Sequence, residues 1–303
     1  MNSLQANVLQ WYARSGRAEL PWRATRDPYR ILVSEFMLQQ TQVDRVLPKY
    51  RSFIERFADF KTLAQASTAD VLRQWKGLGY NSRAIRLQGI ARIVERDFAG
   101  KMPMHAEQLL AMPGIGPYTA AALRAFAFEE DDLALDTNIR RVMRRVLYGL
   151  AFEAGRSERT LEAQSLALTP SGRAHDWNSA LMDLGATVCT ARAPQCSLCP
   201  LRNDCAAAPL DAVRLESERE AHRKKRSPQE SIPFEQTTRF ARGRIVDRLR
   251  GLPAGRRISL LDLQRDMQTV LPAKTLDSIE ETLGALERDG IVRRDGESFA
   301  LPE

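Results

Sequence analysis

Four cysteines, Cys189, Cys196, Cys199 and Cys205, fall in one short loop with the spacing C-x6-C-x2-C-x5-C, and the chain has no others. Clustered thiols of this kind indicate metal rather than disulfides in a cytosolic chain. Four sulfur ligands suit a [4Fe–4S] cluster or structural zinc, and spacing alone leaves both open, although paired C-x-x-C knuckles are the commoner form for zinc. Two carboxylates also invite a chemical reading. In YRILVSEFMLQQTQV, Glu35 shares a helical face with Ile31, Leu32, Leu38 and Gln39, so its carboxylate is expected against apolar neighbours. Desolvation there favours the protonated form and suits a general acid. Asp136, in ALDTNIRRV, can simply cap the helix carrying Arg140, Arg141, Arg144 and Arg145, a common job for Asp, so any further role depends on its surroundings.

These residues need elements to hold them. Pro113-Gly114-Ile115-Gly116 reads as a tight turn before the small-residue helix Thr119 to Ala127. A turn of this type aims backbone N–H groups and a helix N-terminus at an anion, and a DNA phosphate is the natural guest of such a helix-hairpin-helix. Apolar residues recur at steps of three and four (Leu4, Val8, Trp11; Ile54, Phe57, Phe60; Val71, Leu72, Trp75), predicting a bundle of short helices. In WKGLGYNSRAIR, Gly77 and Gly79 make a turn that offers Tyr80 beside Arg83 and Arg86, an aromatic to wedge into a base stack with cations to hold phosphate. Gln39, Gln40 and Gln42 line a polar groove or contact bases, and Arg192 and Arg202 in the cysteine loop are placed to face phosphate. The 303 residues carry 45 Lys and Arg against 38 Asp and Glu, a formal net charge of +7, which agrees with a polyanionic partner. No run reaches the roughly 20 apolar residues of a membrane span, and the first residues lack a signal pattern, so a cytosolic protein is expected.

With these residues in view, the chain from about Leu20 to Cys205 resembles the helix-hairpin-helix DNA glycosylases, and among them the MutY-type adenine glycosylases. The matching runs are LPWR (20–23), SEFMLQQTQV (34–43), GLGY (77–80), PGIGPYTA (113–120), LDTNIRRV (135–142), MDLGATVC (182–189) and the cysteine loop. The resemblance implies a mainly α fold, with a six-helix domain at 21–130 and a [4Fe–4S] cluster domain built from 1–20 and 131–206. It implies that Gln40 and Tyr80 wedge into duplex DNA while Gly114, Gly116 and Thr119, with a bound monovalent ion, hold the backbone. Glu35 is then expected to protonate a flipped adenine. Asp136 stabilises the sugar cation, Tyr118 and Asn138 position the site, and Trp22 and Arg23 line the adenine pocket. Endonuclease III-type relatives that cut the strand have Lys at the place of Tyr118, and a phenol forms no imine, so a monofunctional enzyme is expected. Thymine glycosylases acting on G·T pairs also have this Tyr but generally lack a Glu at the place of Glu35.

Two departures from the family stand out. Asn81 follows Tyr80 where MutY-type proteins usually have a second Tyr and endonuclease III-like proteins have Asn, and nothing after Cys205 looks like the Nudix-like β-rich domain of typical MutY proteins. Instead a basic linker, 207–237, with the run Arg223-Lys224-Lys225-Arg226, leads to a module at 238–303. In that module three helical stripes and a hairpin around Asp295-Gly296 resemble a winged helix. Glu280, Glu281 and Glu287 weaken a major-groove role for its third helix. The expected function is removal of adenine opposite 8-oxoguanine or guanine in base excision repair by a monomer acting on double-stranded DNA, in a bacterial cytoplasm and associated with the nucleoid. The alternatives are thymine or uracil removal from G mismatches, and a non-catalytic iron–sulfur DNA-binding regulator.

Overall fold

The computed structural model describes residues 1–149, 157–211, 213–217, 220, 233–271 and 276–303. The basic run at 223–226 lies outside the described residues. The described residues fall into two compact units, one within Met1–Leu32, Met104–Ala111 and Ile115–Gln229, the other within Val33–Pro103, Met112–Gly114 and Glu230–Glu303. No helix among the described residues is long and apolar enough to cross a membrane.

The first unit is helical. Helices α1 (Ser3–Ser15), α9 (Thr137–Tyr148) and α11 (Ala174–Thr187) pack together on Val8, Ile139, Val142, Met143, Trp177, Leu181 and Leu184. Each such residue, once buried, contributes about 1.5–3 kcal/mol relative to an exposed position. Helix α1 starts in a capping box, in which the Asn2 side chain accepts from the Gln5 amide and the Gln5 side chain returns a bond to the Asn2 N–H. Helices α7 (Ala106–Leu110) and α8 (Pro117–Ala127) pack as a hairpin, with Pro117 at the first position of α8, where a missing N–H costs nothing. Helix α8 also packs on α11, so the hairpin's second helix groups with the cluster loop in the first unit. Helix α10 (Glu158–Leu166) lies against α9, and Glu158 pairs with Arg140 and Arg144.

Helix α2 (Pro28–Leu38) enters the second unit, where α3 (Val43–Arg56), α4 (Phe60–Gln65), α5 (Thr68–Gln74) and α6 (Ser82–Phe98) surround Phe53 and Trp75, whose rings meet edge-on at 5.9 Å. The C-terminal residues belong to this unit. They form α12 (Thr238–Arg250), β1 (Ile258–Ser259), α13 (Leu260–Met267), α14 (Leu276–Arg288), β2 (Arg293–Asp295) and β3 (Ser298–Ala300), with the antiparallel sheet ordered β1-β3-β2. The three helices and terminal hairpin follow the expected pattern, and the two-residue β1 is the addition. It is too short to show an alternation.

One side chain ties the second unit together near α2. Arg83 is 5% exposed, and its guanidinium donates to five backbone carbonyls, those of Phe36, Met37, Gln39, Leu78 and Gly79, at 2.6 to 3.2 Å. Burial lowers its pKa to about 10, which leaves it charged at neutral pH. Arg83 had been expected among cations holding phosphate; its burial gives it an internal role instead, while Arg86 remains exposed. An ammonium has three donors and no planar fork, so it cannot replace this contact set. Arg83→Lys is expected to lower stability by about 2–4 kcal/mol, measured as a lower urea midpoint of the cluster-loaded protein; an unchanged midpoint would remove this role.

Candidate functional site

Asp136 is the N-cap of α9, with extended backbone and a side chain turned into the first helical turn. Its Oδ1 accepts from the Ile139 N–H at 2.6 Å and its Oδ2 from the Asn138 Nδ2 at 2.9 Å. Burial raises its pKa, and the Ile139 and Asn138 bonds, with Arg141 nearby, oppose that rise. The cap and the candidate catalytic carboxylate are therefore one group. Its neighbours fix it from two sides. Asn178, fully buried on α11, accepts from the Ala134 N–H at 2.7 Å and donates to the Asp132 and Ala174 carbonyls, which pins the irregular segment leading to Asp136. Gly185 lets α11 touch α9, since a Cβ there would stand 2.7 Å from the Asn138 Cβ and 3.1 Å from its Cα. Arg141 then donates to the Asn138 Oδ1 (2.9 Å), the Gly185 carbonyl (2.6 Å) and the Cys189 carbonyl (2.8 Å). This unbroken hydrogen-bonded path joins the carboxylate to the cysteine loop.

The four cysteines are gathered at one small cavity beside Arg145, Pro194 and Ala207, and none is in a disulfide. Burial pushes the Cys199 thiol up to about 12 and raises that of Cys205, and each feels the other cysteines. Half-buried sulfurs of this kind are held as thiolates by a cation. Four cysteines around one cavity suit a [4Fe–4S] cluster, in which each cysteine takes a different iron. Arg145, 2% exposed, donates to the Cys189 Sγ at 3.4 Å and to the Thr190 carbonyl at 2.8 Å, placing positive charge against an anionic cluster. Arg192 and Arg202 are exposed in the same loop.

Trp22 is buried, and the Arg23 side chain is 8% exposed. Arg23 donates to the Ser179 hydroxyl and to the Met182 Sδ (3.6 Å), lies over the Phe126 ring and stands 3.7 Å from Asp183. Asp183, fully buried, takes three further bonds from the Arg17 backbone and guanidinium. A buried ion pair is tolerable because these donors satisfy it. Tyr118 is half-buried on the first turn of α8. The Thr119 side chain is buried, so what its position offers an anion is the backbone N–H of a helix's first turn. Gly114 needs its glycine, since φ is +86° and a Cβ would stand 2.9 Å from the Arg86 Cδ, whereas a Cβ on Gly116 would meet nothing within 4 Å.

In the second unit Glu35 is 7% exposed on α2, as the apolar face of its helix predicts. The Gln39 carbonyl and the Gly79 carbonyl share the Arg83 guanidinium, which also lies under the Tyr80 ring at 5.6 Å. Gln40 and Tyr80 are exposed and have left-handed backbones, φ +55° and +45°. Such strain in non-glycine residues gathers at functional positions. Sequence reasoning missed Asn178, Ser179, Asp183 and Arg141, although polar residues interrupting the apolar run of α11 are a readable signal.

A helix-hairpin-helix scaffold with a four-cysteine cluster loop and a half-buried capping carboxylate is thus defined. Residues 33–164 match the family described as HhH-GPD superfamily base excision DNA repair protein, and residues 189–205 match the iron–sulfur binding domain of endonuclease III. An adenine DNA glycosylase of Mycobacterium tuberculosis is 40% identical over 305 residues, 98% of this chain and 92% of that protein. The human adenine DNA glycosylase is 40% identical over 221 residues, 68% of this chain and 40% of its own length. Among solved structures, a thermostable thymine-DNA glycosylase superposes with a TM-score of 0.62 at 31% identity, over 67% of this chain and 94% of that one. The chain belongs to the HhH-GPD superfamily of base excision repair proteins and, within it, to the adenine DNA glycosylases.

Two outcomes follow from the site. Elemental analysis of anaerobically purified protein is expected to give iron, about four per chain, rather than zinc, with broad visible absorption that Cys199→Ser removes. If Asp136 must be ionised, activity falls as pH drops through its raised pKa. Asn138→Ala removes a bond that lowers that pKa, so the acidic limb of the single-turnover pH–rate profile moves to higher pH; an unmoved limb would detach Asn138 from the carboxylate.

Proposed function

We propose that the chain hydrolyses the N-glycosidic bond of adenine mispaired with 8-oxoguanine or guanine in double-stranded DNA. Glu35 gives its proton to adenine N7 of the flipped nucleotide, the bond from C1′ to N9 breaks, and its electron pair leaves with the base. Asp136, ionised, stabilises the positive sugar carbon until water adds there and gives up a proton to solvent, leaving an abasic site. Tyr118 and Asn138 orient this chemistry, and Trp22, Arg23 and Gln39 line the pocket. Gln40 and Tyr80 fill the space the base vacates, while Gly114, Gly116 and the Thr119 N–H, with a monovalent ion, hold the phosphate backbone. Strand cleavage through an imine is not part of the reaction, because Tyr118 has no amine. The enzyme acts as a monomer in the bacterial cytoplasm, at the nucleoid. In domain terms, 21–130 and 1–20 with 131–206 form the glycosylase, and 207–237 tethers the module at 238–303.

Burial of Glu35 carries the reading, since a thymine-DNA glycosylase shares this fold and an acid placed for a purine nitrogen separates the two activities. Single-turnover excision should therefore be measured on A·8-oxoG, A·G, T·G and U·G duplexes. The expected result is release of adenine from the first two, reduced about 10²–10⁴-fold by Glu35→Gln, with Asp136→Asn still binding DNA but not cutting the bond. Preferential cleavage of T·G or U·G would transfer the chain to the thymine and uracil branch. Normal DNA binding without excision of any base would favour a regulator.

A further inference from the structure

The module at the C-terminus is attached to the loop that carries the wedge. The Arg250 Nη2 donates to the Asn81 Oδ1 at 2.6 Å and its Nε to the Leu72 carbonyl at 2.9 Å, and the Ala69 N–H donates to the Pro302 carbonyl at 2.7 Å. Asn81 is the residue at which the sequence leaves the family pattern, and its amide oxygen is what the module grips. Helix α12 has five arginines. Four of them are matched to carboxylates: Arg242 to Asp289, Arg244 and Arg250 to Asp247, and Arg248 to Asp266. Arg239 has no ion pair among the described residues. Its guanidinium lies instead 4.1 Å from the centre of the Tyr80 ring and 5.8 Å from that of Phe234, which is 53% exposed.

A guanidinium held against aromatic rings keeps its in-plane N–H donors for other partners, and those donors form a fork that fits phosphate oxygens. The charge is exposed and adjoins a ring expected to enter the base stack, which is where a nucleic-acid backbone would pass. We propose that the C-terminal module is a built part of the wedge: Arg250 holds the Gly77–Asn81 loop through Asn81, and Arg239, stacked on Tyr80, binds a DNA backbone phosphate beside it. The proposal rests on Tyr80 acting as the wedge but not on which base is removed.

The test uses the full-length, cluster-loaded chain and duplexes carrying a non-cleavable adenine analogue opposite 8-oxoG or G, together with an undamaged duplex. Affinity is measured against salt for wild type, Arg239→Ala, Arg239→Lys and Asn81→Ala. Loss of one phosphate contact flattens the slope of log affinity against log salt by about one. Arg239→Ala is expected to show that change, with about tenfold weaker binding at low salt, on both mispair duplexes alike. Arg239→Lys, keeping the charge, should retain most of the slope. Asn81→Ala, which removes only the acceptor for Arg250, should weaken mispair binding about threefold or more. An unchanged slope in Arg239→Ala overturns the phosphate contact, as does a loss confined to the 8-oxoG or the G duplex, which would mean base readout. Unchanged affinity in Asn81→Ala overturns the holding role. The slope on undamaged DNA is read without excision, so an enzyme that removed some other base would still pass or fail this test separately.

Discussion

The guanidinium of Arg83 is the contact on which the second unit's functional edge depends. It is a buried cation balanced by carbonyl dipoles, with no carboxylate partner among the described residues. Three of its five carbonyl acceptors come from the end of α2, at Phe36, Met37 and Gln39, where a helix has acceptors without intrahelical donors. Positive charge there also complements the helix dipole. The other two, Leu78 and Gly79, come from the turn before Tyr80. One side chain therefore terminates the helix that carries Glu35 and positions the turn that carries Tyr80. A carboxylate in this place would neutralise the cation but could bridge neither set of carbonyls, because it has nothing to donate.

Asp136 shows the same economy in the first unit. Capping a helix demands an ionised or strongly accepting oxygen aimed at backbone N–H groups, while stabilising a cation on a sugar demands a desolvated carboxylate with some lone pairs still available. Burial and hydrogen bonding pull its pKa in opposite directions, and burial leads. The group is held by the first turn of its own helix. Arg141 bonds Asn138, the Gly185 carbonyl and the Cys189 carbonyl, so the helix start and the first cysteine of the cluster loop are positioned by the same planar donor.

Much of this was legible in the chain. The cysteine spacing, the Pro-Gly-Ile-Gly turn, the cap at Asp136 and the apolar face around Glu35 are local features, decided within one turn or one loop, and local patterns carry them. The family's residues at Tyr118, Asn138 and Arg23 came with the motifs that surround them. What escaped were residues whose roles depend on remote backbone. A cation after an aromatic, as Arg83 follows Tyr80, reads as a phosphate ligand until its acceptors more than forty residues upstream are known. Asn178 and Asp183 reach the backbone near Asp136 and the side chain of Arg17 across similar or greater separations, and nothing in their immediate neighbours announces it.

The two departures from the family pattern, Asn81 and the unusual C-terminal residues, are physically one. A second aromatic after Tyr80 has no amide oxygen at its side-chain base and would leave the Arg250 donor unmatched in a half-buried place, where an unsatisfied charged group costs more than a neutral one. The helix that docks on Asn81 also carries Arg239, which lies over the Tyr80 ring. A residue that looks like a weakened DNA contact in the sequence is, in the folded chain, an attachment point of the C-terminal helix that lies against Tyr80.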